Sequence, residues 1–306
     1  MDLIVLGTMA LDNIKTASGQ RRNLLGGSAA HFAMSARLFT KVHLVSVIGR
    51  DFPREHLRLL KRKGVDLSSV VEEEGKTFQW SGEYRASDYN TAVTLATELG
   101  VLANYSPRIA RGQKGIPHVF LANFDPQIQM KFLKLMDKPK FVGLDSMNLW
   151  INNMRGSVVR LMKEVDLFVA NDAEARALSG ENNLIKAAKV LTKMGPQWVV
   201  IKKGEHGVLF HCDRFMFSFP SYPVENVIDP TGAGDTFAGG LMGYLSRAAP
   251  LGRPVKINER ELKRAVLYAA AIASFNVEGF GTDQTANLTL VKVHRRMKHF
   301  KEFISL

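Results

Sequence analysis

Short apolar runs alternate with longer amphipathic segments along most of this chain. Leu3 to Leu6, Val42 to Ile48, Val119 to Ala122, Phe141 to Leu144, Leu167 to Ala170 and Val199 to Ile201 are compact hydrophobic runs, the pattern of strands buried on both faces. Between them, Ala29 to Phe39, His56 to Lys63, Gln127 to Met136, Ser157 to Lys163 and Leu184 to Met194 read as helices. This alternation predicts an α/β fold with a doubly wound, mostly parallel sheet flanked by helices. Ligands of such sheets bind beyond the carboxyl ends of the strands. Polar residues gather there: Asp12 follows the first run, Asp145 and Asn171 close the fourth and fifth, and Lys202-Lys203-Gly204 closes the sixth.

Two segments break the alternation. Lys15 to Leu25 is polar and contains glycine; Val70 to Ala103 alternates with a period of two, with Phe78, Trp80 and Tyr84 at even spacing. Both predict pieces of a small β-sheet added to the main one, contributed by about 13–25 and 70–103. An alternative for the three aromatics is one buried strand face. There is no internal repeat, low-complexity tract or long linker, so residues 1–306 read as one domain.

Composition narrows the class. A hydrophobic content of 46% and a charged content of 23% suit a soluble globular chain with a sizeable core. The lone Cys212 excludes an intramolecular disulfide and fits a reducing compartment. Met1-Asp-Leu-Ile-Val-Leu-Gly has no basic region before its apolar run, against a signal peptide, and no stretch approaches the ~18 apolar residues of a membrane span. A cytoplasmic protein without a membrane partner is the expectation. The net charge of +12 raises the question of nucleic acid. The excess is dispersed, however, apart from Lys292, Arg295, Arg296, Lys298 and Lys301 on a predicted last helix, with Val291, Val293, Met297 and Phe300 left to pack. That is the pattern of a solvated helix face, and no nucleic-acid motif accompanies it.

The densest chemistry lies in Asp229-Pro-Thr-Gly-Ala-Gly-Asp-Thr-Phe-Ala-Gly-Gly240. A helix start presents unpaired N–H groups and a partial positive charge, and Gly232 and Gly234 let backbone approach a ligand. Anions bind such a place. Asp235 sits within it, and an anion hole beside a carboxylate base is what phosphoryl transfer to a hydroxyl requires. A lone Gly-x-Gly-Asp would more often be an ordinary helix cap; the full run outweighs that alternative.

The same run resembles the C-terminal signature of the PfkB/ribokinase family of carbohydrate and nucleoside kinases. Gly26-Gly27-Ser28-Ala-Ala-His31-Phe-Ala33 and Asn171-Asp-Ala-Glu174 match the family's other elements in its order, so the resemblance spans essentially the whole chain. It implies a ribokinase-like fold whose small sheet forms a lid over the sugar and often a dimer contact. It implies ATP and Mg²⁺, transfer to a hydroxymethyl group, Asp235 as base, and the N–H groups of Gly232, Ala233 and Gly234 as the anion hole. Asp12, Gly26 and Gly27 would bind the substrate, and Ser28 reads as the cap of the following helix. The family commonly has Asn where His31 stands; His31 either reads a different hydroxyl or packs in its helix. Asp145, with Asn148 and Trp150, would read substrate or the γ-phosphate end, or form a capped loop.

Asn171 and Glu174 would organise Mg²⁺ through water, a role compatible with a capping box. Lys202, Lys203, Gly204 and Gly207 occupy the nucleotide-loop position, with Lys-Lys-Gly where a typical member has Thr-Leu-Gly. Thr231, Gly279 and Gly281 would also line the ATP site, although a helix stop explains the last two as well. Asp229 and Thr231 resemble a monovalent-cation site, K⁺ by implication. A free, ribose-like sugar is the first substrate expectation and a nucleoside the alternative; Arg85, Arg108 and Arg111 keep a sugar phosphate open. A non-catalytic ligand sensor on the same fold is the reading from another class.

Overall fold

The structure, a computed structural model, describes residues 2–85, 87–248 and 258–304; Ala86, inside the second predicted lid segment, lies outside them. The chain starts in β1 (Leu3–Leu6), leaves it for β2 (Ala10–Thr16) and β3 (Gly19–Gly26), and returns through α1 (Ser28–Ala36) to β4 (Val42–Gly49). Then come α2 (Arg54–Arg62), β5 (Asp66–Glu73), β6 (Gln79–Arg85) and β7 (Asp88–Glu98). Next follow β8 (His118–Leu121), α3 (Pro126–Leu135), β9 (Phe141–Asp145), α4 (Asn148–Asn153), α5 (Arg155–Met162), β10 (Leu167–Asn171), α6 (Asp172–Ser179), α7 (Leu184–Lys193) and β11 (Trp198–Lys202). The hairpin β12 (Val208–His211) and β13 (Met216–Phe219) precedes α8 (Ala233–Ala248), α9 (Glu259–Asn276), α10 (Asp283–Ala286) and α11 (Leu290–Ile304).

The main sheet has the order β13-β12-β11-β10-β9-β8-β1-β4-β5. It is parallel except for β12 and β13, which pair antiparallel at one edge. The chain winds outward from β1 to β4 and β5, then returns to β8 beside β1 and winds the other way. That reversal is the switch point at which doubly wound sheets bind ligands. Alternate residues of β1 serve opposite cores: Leu3 and Val5 face α1, α8 and α9, whereas Ile4 and Leu6 face α3, α5, α6 and α7. Burial of both faces is why these strands are apolar without alternation.

A second sheet, of order β3-β2-β6-β7, stands apart. Its boundaries correct the sequence expectation. It comprises residues 10–26 and 79–98, while β5 pairs parallel with β4 as an edge of the main sheet. Asp12, shortly after β1, lies within β2. Trp80 and Tyr84 of β6 do pack inward, with Ile14 and Phe280. On α11, Val293, Met297 and Phe300 are buried but Val291 is 70% exposed. Arg296 is drawn from the basic cluster into a pair with Glu278 at 2.9 Å, stacked on Phe275. No helix of the described residues is long and apolar enough to cross a membrane.

Candidate active site

The catalytic-type turn is built by hydrogen bonds that converge from distant elements. Asp229, fully buried, accepts the Thr231 N–H on Oδ1 and the Gly281 N–H on Oδ2, both at 2.9 Å. Asn276, at the end of α9, donates through Nδ2 to the Thr231 carbonyl at 2.8 Å. Gly232 has φ +71°, the left-handed region where a side chain is strained, and a Cβ there would sit 2.3 Å from the His31 ring. α8 then starts at Ala233 and carries Asp235 in its first turn. The Ala233 N–H is turned to the Pro230 carbonyl at 3.2 Å. Ala233 therefore leaves the expected set of anion donors. The N–H groups of Gly232, Gly234 and Asp235 find no acceptor among the described residues.

Three neighbouring strands deliver charge to this helix start. β9 ends in Asp145, β10 in Asn171 and β11 in Lys202, with Asn171 and Lys202 opposite one another. Lys202 Nζ donates to Asp145 Oδ2 at 3.0 Å. Asn171 caps α6: its side chain accepts the Glu174 N–H at 2.8 Å, and Glu174 Oε2 accepts the Asn171 N–H at 2.7 Å. The structure thus contains the capping box, with Glu174 buried by it. Asp145, Glu174 and Asp235 share one ammonium. Burial, then the Asp145 charge, push Asp235 up to about 7, with Lys202 opposing. The same causes push Glu174 up to about 7. Burial alone would lower Lys202; the charges of Asp145, Glu174 and Asp235 outweigh it and raise the ammonium. Buried oxygen ligands with excess negative charge fit a magnesium ion that keeps its waters. No three side chains among the described residues form a direct metal cage.

On the other side of the turn, Asp12 is buried against the paired glycines. A Cβ at Gly26 would fall 1.8 Å from Asp12 Oδ2. Burial first, then the Asp229 charge, push Asp12 up to about 7, while a Gly27 hydrogen bond works the other way. Gly27, not Ser28, occupies the cap position of α1. Ser28 Oγ instead accepts the Thr8 N–H and donates to the Asn123 carbonyl, both at 3.0 Å, joining the ends of β1 and β8.

His31 is buried in α1 with Nδ1 3.2 Å from Asn276 Oδ1, which also accepts from Thr236 Oγ1. Because Asn276 Nδ2 is committed to the Thr231 carbonyl, its Oδ1 is an acceptor and His31 Nδ1 must carry the proton. Burial holds His31 down at about 4, neutral at pH 7. It packs under the turn, the second of its two expectations.

The remaining expected residues separate. Lys203 faces the hairpin, with Nζ 3.5 Å from Ser218 Oγ, so the two lysines diverge. Gly207 abuts the Phe219 carbonyl. Gly204 lies under Asn90 of β7, and Asn90 Nδ2 donates to Glu205 at 3.2 Å. Gly281 sits by Asp229 and Leu24 of β3, on the small-sheet side of the turn; Gly279 faces Gln284. Asn148 is exposed, and Trp150 donates to Asn123 at 3.0 Å. The sequence reading missed Asn276, the hub of the turn, although a buried Asn closing an apolar helix was a signal. It also missed Thr236 and the polar end of Tyr84, whose hydroxyl lies 3.4 Å from Thr231 Oγ1.

Comparison with known proteins gives the family and the fold. Residues 3–289 match the model of the pfkB family of carbohydrate kinases. The chain is 33% identical over 270 residues to the cytidine kinase of Thermococcus kodakarensis, covering 84% of this chain and 93% of that one. It is 28% identical over 297 residues to a nucleoside kinase of Methanothermobacter thermautotrophicus, covering 92% and 91%. An E. coli protein described as a ribokinase II, solved with ATP and Mg²⁺, superposes with a TM-score of 0.81 at 17% identity over 97% of this chain and 99% of its own. The chain belongs to the pfkB family of carbohydrate kinases.

Proposed function

We propose that this kinase transfers the γ-phosphoryl group of ATP to the hydroxymethyl group of a ribonucleoside. The observation that carries the chemistry is Asp235, half-buried among unpaired N–H groups at the head of α8. The acceptor oxygen bonds to the γ-phosphorus as the bond to the β–γ bridging oxygen breaks, its electron pair leaving with ADP. The hydroxyl proton passes to Asp235, and the N–H groups of Gly232 and Gly234 receive charge on the phosphoryl oxygens. Magnesium held through water by Asn171 and Glu174 would neutralise donor phosphate charge. The nucleoside, placed second by the sequence, is favoured over a free sugar by two relatives that are 33% and 28% identical over 84% and 92% of this chain. Asp12 offers a carboxylate to a ribose diol, and Trp80, opposite Asp12 in the small sheet, offers an aromatic face to a base.

Subsidiary expectations belong to the same reading. The small sheet acts as the lid, reaching Thr231 through Tyr84 and Gly204 through Asn90. Leu95 and Leu99, exposed at and just beyond the end of β7, are where a second copy would dock. Asp229 has backbone donors but no ion pair among the described residues, which suits K⁺ beside Thr231. ATP consumption and the buried Cys212 suit the cytoplasm. ADP release with Mg-ATP is measured across cytidine, other nucleosides and free pentoses, in the presence and absence of K⁺, beside Asp235→Asn. Turnover with nucleosides, lost in the variant, is expected; turnover with free pentoses alone would return the assignment to a sugar kinase.

A further inference from the structure

We propose that Lys202 is a catalytic residue of this kinase: Asp145 holds its ammonium at the head of α8, where it contacts the phosphoryl group in transit. The inference rests on the phosphotransfer reading above and assigns that site a cation outside the glycine turn.

Position is the first argument. Lys202 closes β11, and its side chain runs inward to 18% exposure while Lys203 turns to the hairpin. A Cβ built at Gly234 would meet Lys202 Nζ at 2.9 Å. The ammonium is therefore packed on the residue whose N–H lacks an acceptor. Hydrogen bonding is the second argument. An ammonium has three donors, and Asp145 is its one hydrogen-bond partner among the described residues. Unused donors on a largely buried ammonium are costly unless something accepts from them, and they lie where phosphoryl oxygens would arrive.

Charge is the third argument. Without Lys202, Asp145, Glu174 and Asp235 would present only negative charge to an incoming polyphosphate. As the acceptor oxygen bonds to phosphorus and the bridging oxygen departs with its electron pair, negative charge is spread over the peripheral oxygens. Lys202 donates to one of these, while the hydroxyl proton goes to Asp235. Asp145 fixes the ammonium beforehand, so no reorganisation accompanies the step.

The test compares Lys202→Met, Lys202→Arg and Asp145→Asn/Lys202→Met with the unaltered enzyme. Steady-state turnover uses cytidine, or whichever nucleoside the enzyme accepts, and calorimetry gives Mg-ATP affinity. Loss of one transition-state donor lowers kcat about 10²–10³-fold. Lys202→Met is expected to show that loss with Mg-ATP affinity within about threefold, Lys202→Arg to regain at least about tenfold, and the double variant to stay slow. Unchanged kcat with weakened Mg-ATP binding would overturn the proposal and return Lys202 to the nucleotide loop. Recovery in the double variant would also overturn it, leaving Lys202 as a counter-charge for Asp145. Asp235→Asn is run in parallel: if it remains fully active, the phosphotransfer reading itself falls, whereas its inactivity beside an active Lys202→Met sinks the lysine alone.

Discussion

Burial leaves the Asp12, Glu174 and Asp235 carboxyl groups titrating at about 7 rather than in the usual carboxylate range. For Asp235 this suits the proposed role: a base that titrates near working pH balances availability against proton affinity. Because a carboxylate must be ionised to serve as the proposed base, kcat/KM is expected to rise with pH and level off above about 7. A flat profile down to pH 5 would exclude that role. Asp235→Asn keeps the shape and loses the proposed base, so turnover is expected to fall about 10²–10⁴-fold while calorimetric affinity for the accepted substrate persists. The place of Asp235 in the first turn of α8 was legible in the sequence because a glycine turn, a helix start and a carboxylate occupy contiguous positions. The neutrality of His31 was not, because it depends on burial, nor was its tautomer, which is set by Asn276, 245 residues away.

Among elements, the contact of α8 with α1 sets the site. A Cβ at Gly239 would lie 2.2 Å from the Phe32 carbonyl oxygen, which is backbone and cannot swing away. Gly239→Ala is thus expected to separate the helices at a cost of about 1–3 kcal/mol, read as a lower denaturation midpoint. It should also weaken turnover, because His31 on α1 lies beneath Gly232 on the approach to α8. The small sheet meets the same turn through Tyr84. Tyr84→Phe removes one hydrogen bond worth about 1 kcal/mol; turnover is expected to drop about fivefold with the fold intact, and an unchanged rate would remove Tyr84 from the positioning of Thr231. The apolar runs identified six main-sheet strands. They did not separate β5 from the small sheet, because β5, at the edge of the main sheet, is as partly buried as β6.

For the whole molecule, raised carboxyl pKa values have a definite sign. The stability they contribute is fully present below about 4, where the unfolded groups titrate, and is lost as pH rises through about 7. The unliganded enzyme should therefore lose stability across that window. Asp235→Asn should raise Tm by several degrees at pH 8 and by less at pH 5; an equal gain at both would contradict the assigned burial. The trade of stability for a charged site is common in enzymes. The sequence by itself determined the parallel sheet, the family and the glycine turn that opens α8, because each is written in local hydrophobic runs or in one contiguous motif. Only the tertiary structure decided that Lys202 serves Asp145 and Gly234 instead of lying beside Lys203 in a loop, that Ala233 is withdrawn from the anion donors, and that Asn276 holds the turn. Those outcomes depend on where strand ends and helix ends converge in space, and spacing along a chain carries no such distances.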